Sequence, residues 1–156
     1  GITGGYLPLS LVLSTDTIHA AFYDDDVARG FLHSHSYTGN PLACRAALAT
    51  LDIFETDDVL ARNHARAAGL DAALAPLQAH RAVHHLRRTG MIWAFDVAAD
   101  PGFGQRYATA ALARGLLLRP IGNTVYLMPP YVLDDDTAAW MARETLATLD
   151  DALKDR

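Results

Sequence analysis

Phe31-Leu32-His33-Ser34-His35-Ser36-Tyr37-Thr38-Gly39-Asn40-Pro41-Leu42-Ala43-Cys44-Arg45-Ala46-Ala47-Leu48 is the stretch on which the reading of this chain turns. Its first half is a small, hydroxyl-rich loop with Ser34, Ser36, Thr38 and Gly39. Its second half predicts a helix starting at Asn40-Pro41: asparagine caps free N–H groups, and proline, with fixed φ and no N–H, is preorganised for the first turn. Backbone N–H groups, short hydroxyl side chains and a helix N-terminus can together hold an anion such as a phosphate without a lysine or arginine. The same residues also describe a capped surface loop with no ligand, and pattern alone leaves both readings open.

Upstream, residues 7–13 read Leu-Pro-Leu-Ser-Leu-Val-Leu, an almost continuous apolar run. Such a run predicts a strand buried on both faces of an α/β sheet, with Pro8 at its beginning. Ser14-Thr15-Asp16 then caps a short helix whose buried stripe is Ile18, Ala21 and Phe22. Asp24-Asp25-Asp26 is expected to end it in a solvated turn, because consecutive carboxylates point in different directions and make a poor metal site. Downstream, the helix from 41 to about 54 places Leu42, Ala46, Leu48 or Ala49, and Leu51 at three-to-four spacing, with Ala43 and Ala47 allowing a neighbour to approach closely, and should be deeply packed. Thr56-Asp57-Asp58 caps a second helix with a stripe of Leu60, Ala67, Leu70, Leu74 and Leu77, broken by Asn63 and weakened by Gly69.

From residue 83 the pattern changes to short strands. Residues 83–88 and 91–97 flank Thr89-Gly90, which predicts an antiparallel or bulged pair. Asp100-Pro101-Gly102 is a turn, residues 105–114 an amphipathic helix closed by Gly115, and residues 116–119 a strand stopped by Pro120. Gly122-Asn123 turns the chain into the strand 124–128, which Pro129-Pro130 terminates. One of Asp134, Asp135 and Asp136 caps a terminal helix whose apolar contacts are Trp140, Met141, Leu146, Leu149 and Leu153. Residues 80–156 therefore read as a small α+β unit.

At 156 residues and 51% hydrophobic content the chain can bury a core, and no apolar run approaches the length of a membrane span. Thirteen basic against 18 acidic residues, a net charge of −5, leave no basic face for nucleic acid, so neither nucleic acid nor membrane is an expected partner. Cys44 is the single cysteine; internal disulfides are excluded, a small packing role in its helix is expected, and a reducing cytoplasmic setting fits. His33 with His35, and His84 with His85, raise a metal hypothesis, but no Cys or acidic partner lies at a ligand interval, and no metal is expected. Arg119 ends the apolar run Leu116-Leu117-Leu118, where a long cation is costly to bury without an anion. It is either a bidentate carboxylate clamp or a strand-end arginine that reaches solvent.

The run from His33 to Cys44 resembles the phosphate loop and following helix of the class III, fold-type I aminotransferases, which use pyridoxal 5'-phosphate. Gly1-Ile2-Thr3-Gly4-Gly5-Tyr6-Leu7-Pro8 resembles the sequence that follows the cofactor-binding lysine in that family. The segment Leu116-Leu117-Leu118-Arg119-Pro120-Ile121-Gly122-Asn123-Thr124-Val125-Tyr126-Leu127-Met128-Pro129-Pro130-Tyr131 is similar, more particularly, to the 7,8-diaminononanoate synthases of biotin synthesis. The resemblance implies an α/β chain, the C-terminal part of a fold-type I transferase. Residues 1–55 would be the end of the large mixed-sheet cofactor domain, 56–79 a linking helix and 80–156 a small C-terminal α+β domain.

It further implies that no catalytic residue lies in this chain, the Schiff-base lysine being expected immediately before Gly1; Lys154 is the only lysine present. His35 and Ser36 fall at cofactor-phosphate positions, and Ser34, Arg119 and Tyr126 at substrate positions, with Arg119 on the substrate carboxylate. Ser34 replaces a glycine of the family and His35 a proline, which alters the loop. A homodimer is implied, each Ser36 loop serving the neighbouring subunit's cofactor. The implied reaction moves the amino group of S-adenosylmethionine to 8-amino-7-oxononanoate. The alternatives are another class III ω-aminotransferase, acting on a diamine or ω-amino acid, and a stand-alone α/β binding module.

Overall fold

Asn40 and Pro41 start a helix as their chemistry dictates: the Asn40 side chain accepts the Leu42 N–H at 3.0 Å, and Pro41 opens α2 (Pro41–Thr56). The computed structural model describes residues 1–154, which divide between Asp58 and Val59 into two units.

In the first unit, Thr15 caps the short helix α1 (Asp16–Ala20) by accepting the Ile18 N–H, and Asp26 caps a 3₁₀ turn (Val27–Arg29) through the Ala28 N–H. The acidic triplet is a solvated turn in which Asp24 also pairs with Arg29 at 2.6 Å. Four expectations fail here. The stripe of Ile18, Ala21 and Phe22 is exposed rather than buried, because α1 is only five residues long, ends before Ala21 and buries none of its residues. Residues 7–13 form no strand, and Leu11, Val12 and Leu13 are exposed, because a strand needs a hydrogen-bonded neighbour and no strand lies within the described residues of this unit. Helix α2 buries Ala43 and Ala47, whereas Leu42, Leu48 and Leu51 face outward; its small-residue side is the one that packs. Cys44 is exposed, so it has no packing role within the unit.

The second unit contains α3 (Val59–Gln78), β1 (Val83–Thr89), β2 (Ile92–Val97), α4 (Phe103–Ala113), β3 (Thr124–Leu127) and α5 (Asp135–Lys154). The strands form an antiparallel sheet in the order β1-β2-β3, with Thr89 opposite Ile92 across the Gly90 turn and Asp96 opposite Thr124. The β1-β2 pair is antiparallel and also carries a bulge, away from the Gly90 turn, between His84 and Arg87, where His85 takes φ of 51°. Strict alternation sets the two faces. Trp93, Phe95, Val97, Val125 and Leu127 are buried, and Ala94, Asp96, Thr124 and Tyr126 lie on the opposite side.

Three helices fill the buried side. Leu70, Leu74 and Leu77 of α3, Phe103, Tyr107 and Ala111 of α4, and Met141, Leu149 and Ala152 of α5 join the sheet residues in one core. Each large side chain removed from water there contributes about 1.5–3 kcal/mol. Arg114 ties α4 to α5 through Glu144 and Asp151, and the Tyr107 hydroxyl donates to the Thr145 carbonyl at 3.1 Å. Burial pushes the Tyr107 phenol far above its usual range, so it stays neutral.

The stripe of α3 includes Asn63, which is buried, and excludes Leu60, which is exposed. Asn63 is tolerated because its side-chain oxygen accepts from Arg66, which also donates to the Tyr131 carbonyl. The expected strand at 116–119 is also absent. Leu116 is buried and Leu117 exposed, but the free edge of β3 is met only by the Ile121–Thr124 bridge, so residues 116–119 have no ladder partner.

Candidate functional site

The loop at residues 33–39 closes on itself. Thr38 N–H donates to the His35 carbonyl at 2.9 Å while the Thr38 hydroxyl accepts the His35 N–H at 3.2 Å, and His35 Nδ1 accepts the Tyr37 N–H. This reciprocal pair places Ser36 at the first corner of a β-turn, where neither its N–H nor its hydroxyl has a partner among the described residues. Gly39, at φ of 71°, turns the chain from that loop into the Asn40 cap. Ser34, His35 and Ser36 are all exposed. The donors of Ser36 are unspent, and the quoted stretch contains no Asp or Glu to repel an anion, which fits a phosphate group. The sequence reading missed Thr38 as the residue that closes the loop.

In the second unit, Arg119 is exposed and its guanidinium makes no hydrogen bond or ion pair among the described residues. It borders a cleft of about 440 Å³ that also contains Tyr126, Met128 and Trp140, so the structure brings Arg119 and Tyr126 to one place. Arg119 also borders a second cleft, of about 500 Å³, formed by Gly104, Gln105, Pro120, Gly122 and Asn123. Sequence reading missed this second cleft, whose walls come from the start of α4 and the turn after Arg119. A free guanidinium beside an apolar wall and a phenol suits a carboxylate on an apolar chain.

Along the sheet from Tyr126, Asp96 accepts from the Thr124 hydroxyl at 2.8 Å and from Arg87 through both oxygens, at 3.1 and 3.2 Å, with His85 Nδ1 at 3.1 Å. The Thr124 hydroxyl, then Arg87, hold the Asp96 carboxyl down at about 2. A carboxylate depressed in the folded state adds stability above its unfolded value near 3.8, and loses it as pH falls through about 2. Asp96→Asn is therefore expected to flatten the acid limb of unfolding between about pH 4 and pH 2. Unfolding curves at stepped pH check this; equal slopes in parent and variant would count against the network. Among the described residues, no group of three or more His, Cys, Asp or Glu is placed to hold a metal ion, and no helix is long and apolar enough to cross a membrane.

The adenosylmethionine-8-amino-7-oxononanoate aminotransferase of Helicobacter pylori is 43% identical over 99% of this chain and 37% of that protein. The enzyme of the same name from Synechococcus elongatus is 44% identical over 85% of this chain and 32% of its own length. The chain thus spans about a third of these curated relatives. Among solved structures, the Methanocaldococcus jannaschii adenosylmethionine-8-amino-7-oxononanoate aminotransferase superposes with a TM-score of 0.86 at 31% identity, covering 96% of this chain and 37% of that one. A PLP-bound amine transaminase from an uncultivated Pseudomonas species superposes at 0.79 with 33% identity, covering 99% of this chain and 36% of that one. The family model for class III aminotransferases matches residues 1–149, and the chain belongs to that family.

Proposed function

We propose that this chain is the C-terminal part of an aminotransferase that moves the amino group of S-adenosylmethionine to 8-amino-7-oxononanoate, giving 7,8-diaminononanoate for biotin synthesis. The observation that carries this reading is the exposed, unpartnered Arg119 in the Tyr126 cleft, on a chain 43% identical to an enzyme of that name. Pyridoxal phosphate, when bound, supplies the electron sink for amino-group transfer. The Ser36 N–H and hydroxyl hold its phosphate beside the start of α2, with His35 next to them and Ser34 offering backbone contact to substrate. Arg119 pairs with the carboxylate of the oxo-acid, and Tyr126 and the apolar wall of the cleft line its chain.

In this reading residues 1–55 end the large cofactor domain, 56–79 link, and 80–156 form the small domain. The protein acts as a cytoplasmic homodimer in which each Ser36 loop serves the neighbouring subunit's cofactor. The test is to supply the full-length protein with pyridoxal phosphate, S-adenosylmethionine and 8-amino-7-oxononanoate and to follow diamine by mass spectrometry. Turnover with a diamine or ω-amino acid donor but none with S-adenosylmethionine would move the assignment to another class III ω-aminotransferase. Ser36→Ala in that protein is expected to weaken cofactor retention by about 1.5–3 kcal/mol, the range for a hydrogen bond to a charged group. Spectral titration measures it; binding should weaken without vanishing, because the backbone N–H survives, and unchanged affinity would remove Ser36 from the phosphate site.

A further inference from the structure

The turn that follows Arg119 is wedged against the first turn of α4. A Cβ added to Gly104 would lie 2.6 Å from the Gly122 carbonyl oxygen and 3.6 Å from Pro120 Cβ. The first distance is far inside carbon–oxygen contact, so helix and turn approach as only glycine permits. The turn has little room to retreat. Ile121 and Thr124 exchange both backbone hydrogen bonds at 2.9 and 3.0 Å, the Asn123 carbonyl accepts the Val97 N–H at 2.9 Å, and Asn123 Nδ2 donates to the Ala99 carbonyl at 2.7 Å. Arg119 stands two residues before this clamped turn and borders the clefts on both sides.

We infer that Gly104 and Asn123 are positioning residues for Arg119: together they fix the turn at 121–124 so that the guanidinium meets the substrate carboxylate in the Tyr126 cleft. This rests on the proposed role of Arg119. Gly104→Ala must push the Gly122 carbonyl, a backbone atom, and with it the strap leading back to Arg119. Asn123→Ala releases the same turn from the other side without introducing a clash.

The test uses the full-length enzyme with 8-amino-7-oxononanoate and, separately, its methyl ester, which has the same chain without the charge. Each variant is expected to raise KM for the acid about 10-fold while leaving kcat little changed, since misplacement of a binding group by a fraction of an ångström is costly. KM for the ester should stay within about twofold, and neither substitution should add to Arg119→Ala, because residues acting through one group are not additive. A merely structural role would move acid and ester together, and that result, or an unchanged KM for the acid in both variants, overturns the inference. If Arg119→Ala itself leaves the acid's KM unchanged, the clamp reading fails and the inference falls with it. If Arg119→Ala raises that KM while Gly104→Ala and Asn123→Ala do not, the positioning role alone is wrong.

Discussion

Arg119→Ala in the full-length enzyme should lower kcat/KM for 8-amino-7-oxononanoate by about 100-fold, chiefly through KM, because a carboxylate placed in a partly desolvated cleft loses a charge-assisted, two-pronged partner. The structure makes this a binding effect by showing what else the arginine does, which among the described residues is nothing: no carboxylate or carbonyl competes for it. Arg114 is the contrast. It is committed to Asp151 and Glu144, and those partners keep its guanidinium charged and hold Asp151 ionised. Arg114→Ala should loosen α4 from α5 without a selective effect on the oxo-acid. Arg119→Lys should recover little, since an ammonium presents a point charge where the guanidinium presents a planar fork. Steady-state kinetics with both variants decide it. Parent-like constants for the oxo-acid in Arg119→Ala would remove the residue from the substrate site.

What the sequence made legible follows the range of the interactions. Helix starts were readable because the cap and the N–H it satisfies lie within a few residues: Thr15 with Ile18, Asn40 with Leu42, and Asp134, whose carboxylate accepts the Thr137 N–H at 2.7 Å. The β1-β2 hairpin was readable for the same reason, since its turn lies in the chain between its strands. Residues 7–13 and 116–119 carry strand-like composition, but a strand exists only by pairing, and nothing local says whether a neighbour is present. The leucines of α2 show the same limit in a helix: they read as packing residues, but only the small positions Ala43 and Ala47, where a neighbour can approach closely, are buried. At the site, Ser36 and Arg119 were named from the residues that flank them. The register that brings Thr124 to Asp96 and the approach of Gly104 to Gly122 arise from pairings between residues distant in the chain, which nothing local announces.

Phe95→Ala should destabilise the second unit by about 3–5 kcal/mol, a large share of the 5–15 kcal/mol that separates folded from unfolded states in ordinary domains. Phe95 is at the middle of the central strand β2, 0% exposed, with Trp93 and Val97 beside it on the buried face and Val125 opposite it on β3. Removing the ring leaves a cavity that cannot close easily, because β2 is the central strand between β1 and β3 and α4 is tied to α5 by Arg114. Tyr126→Ala is the control: it is in the same sheet, one position along β3 from Val125 and on the other face, so its loss should cost about 1 kcal/mol or less. Both tryptophans of this chain, Trp93 and Trp140, belong to the second unit, so their fluorescence in a urea titration of this chain reports that unit's unfolding. The midpoint should fall steeply for Phe95→Ala and barely for Tyr126→Ala, with the slope unchanged in both. Equal shifts for the two variants would mean that the faces of the sheet are not divided into a packed side and a site side, and the Arg119–Tyr126 cleft would lose its structural basis.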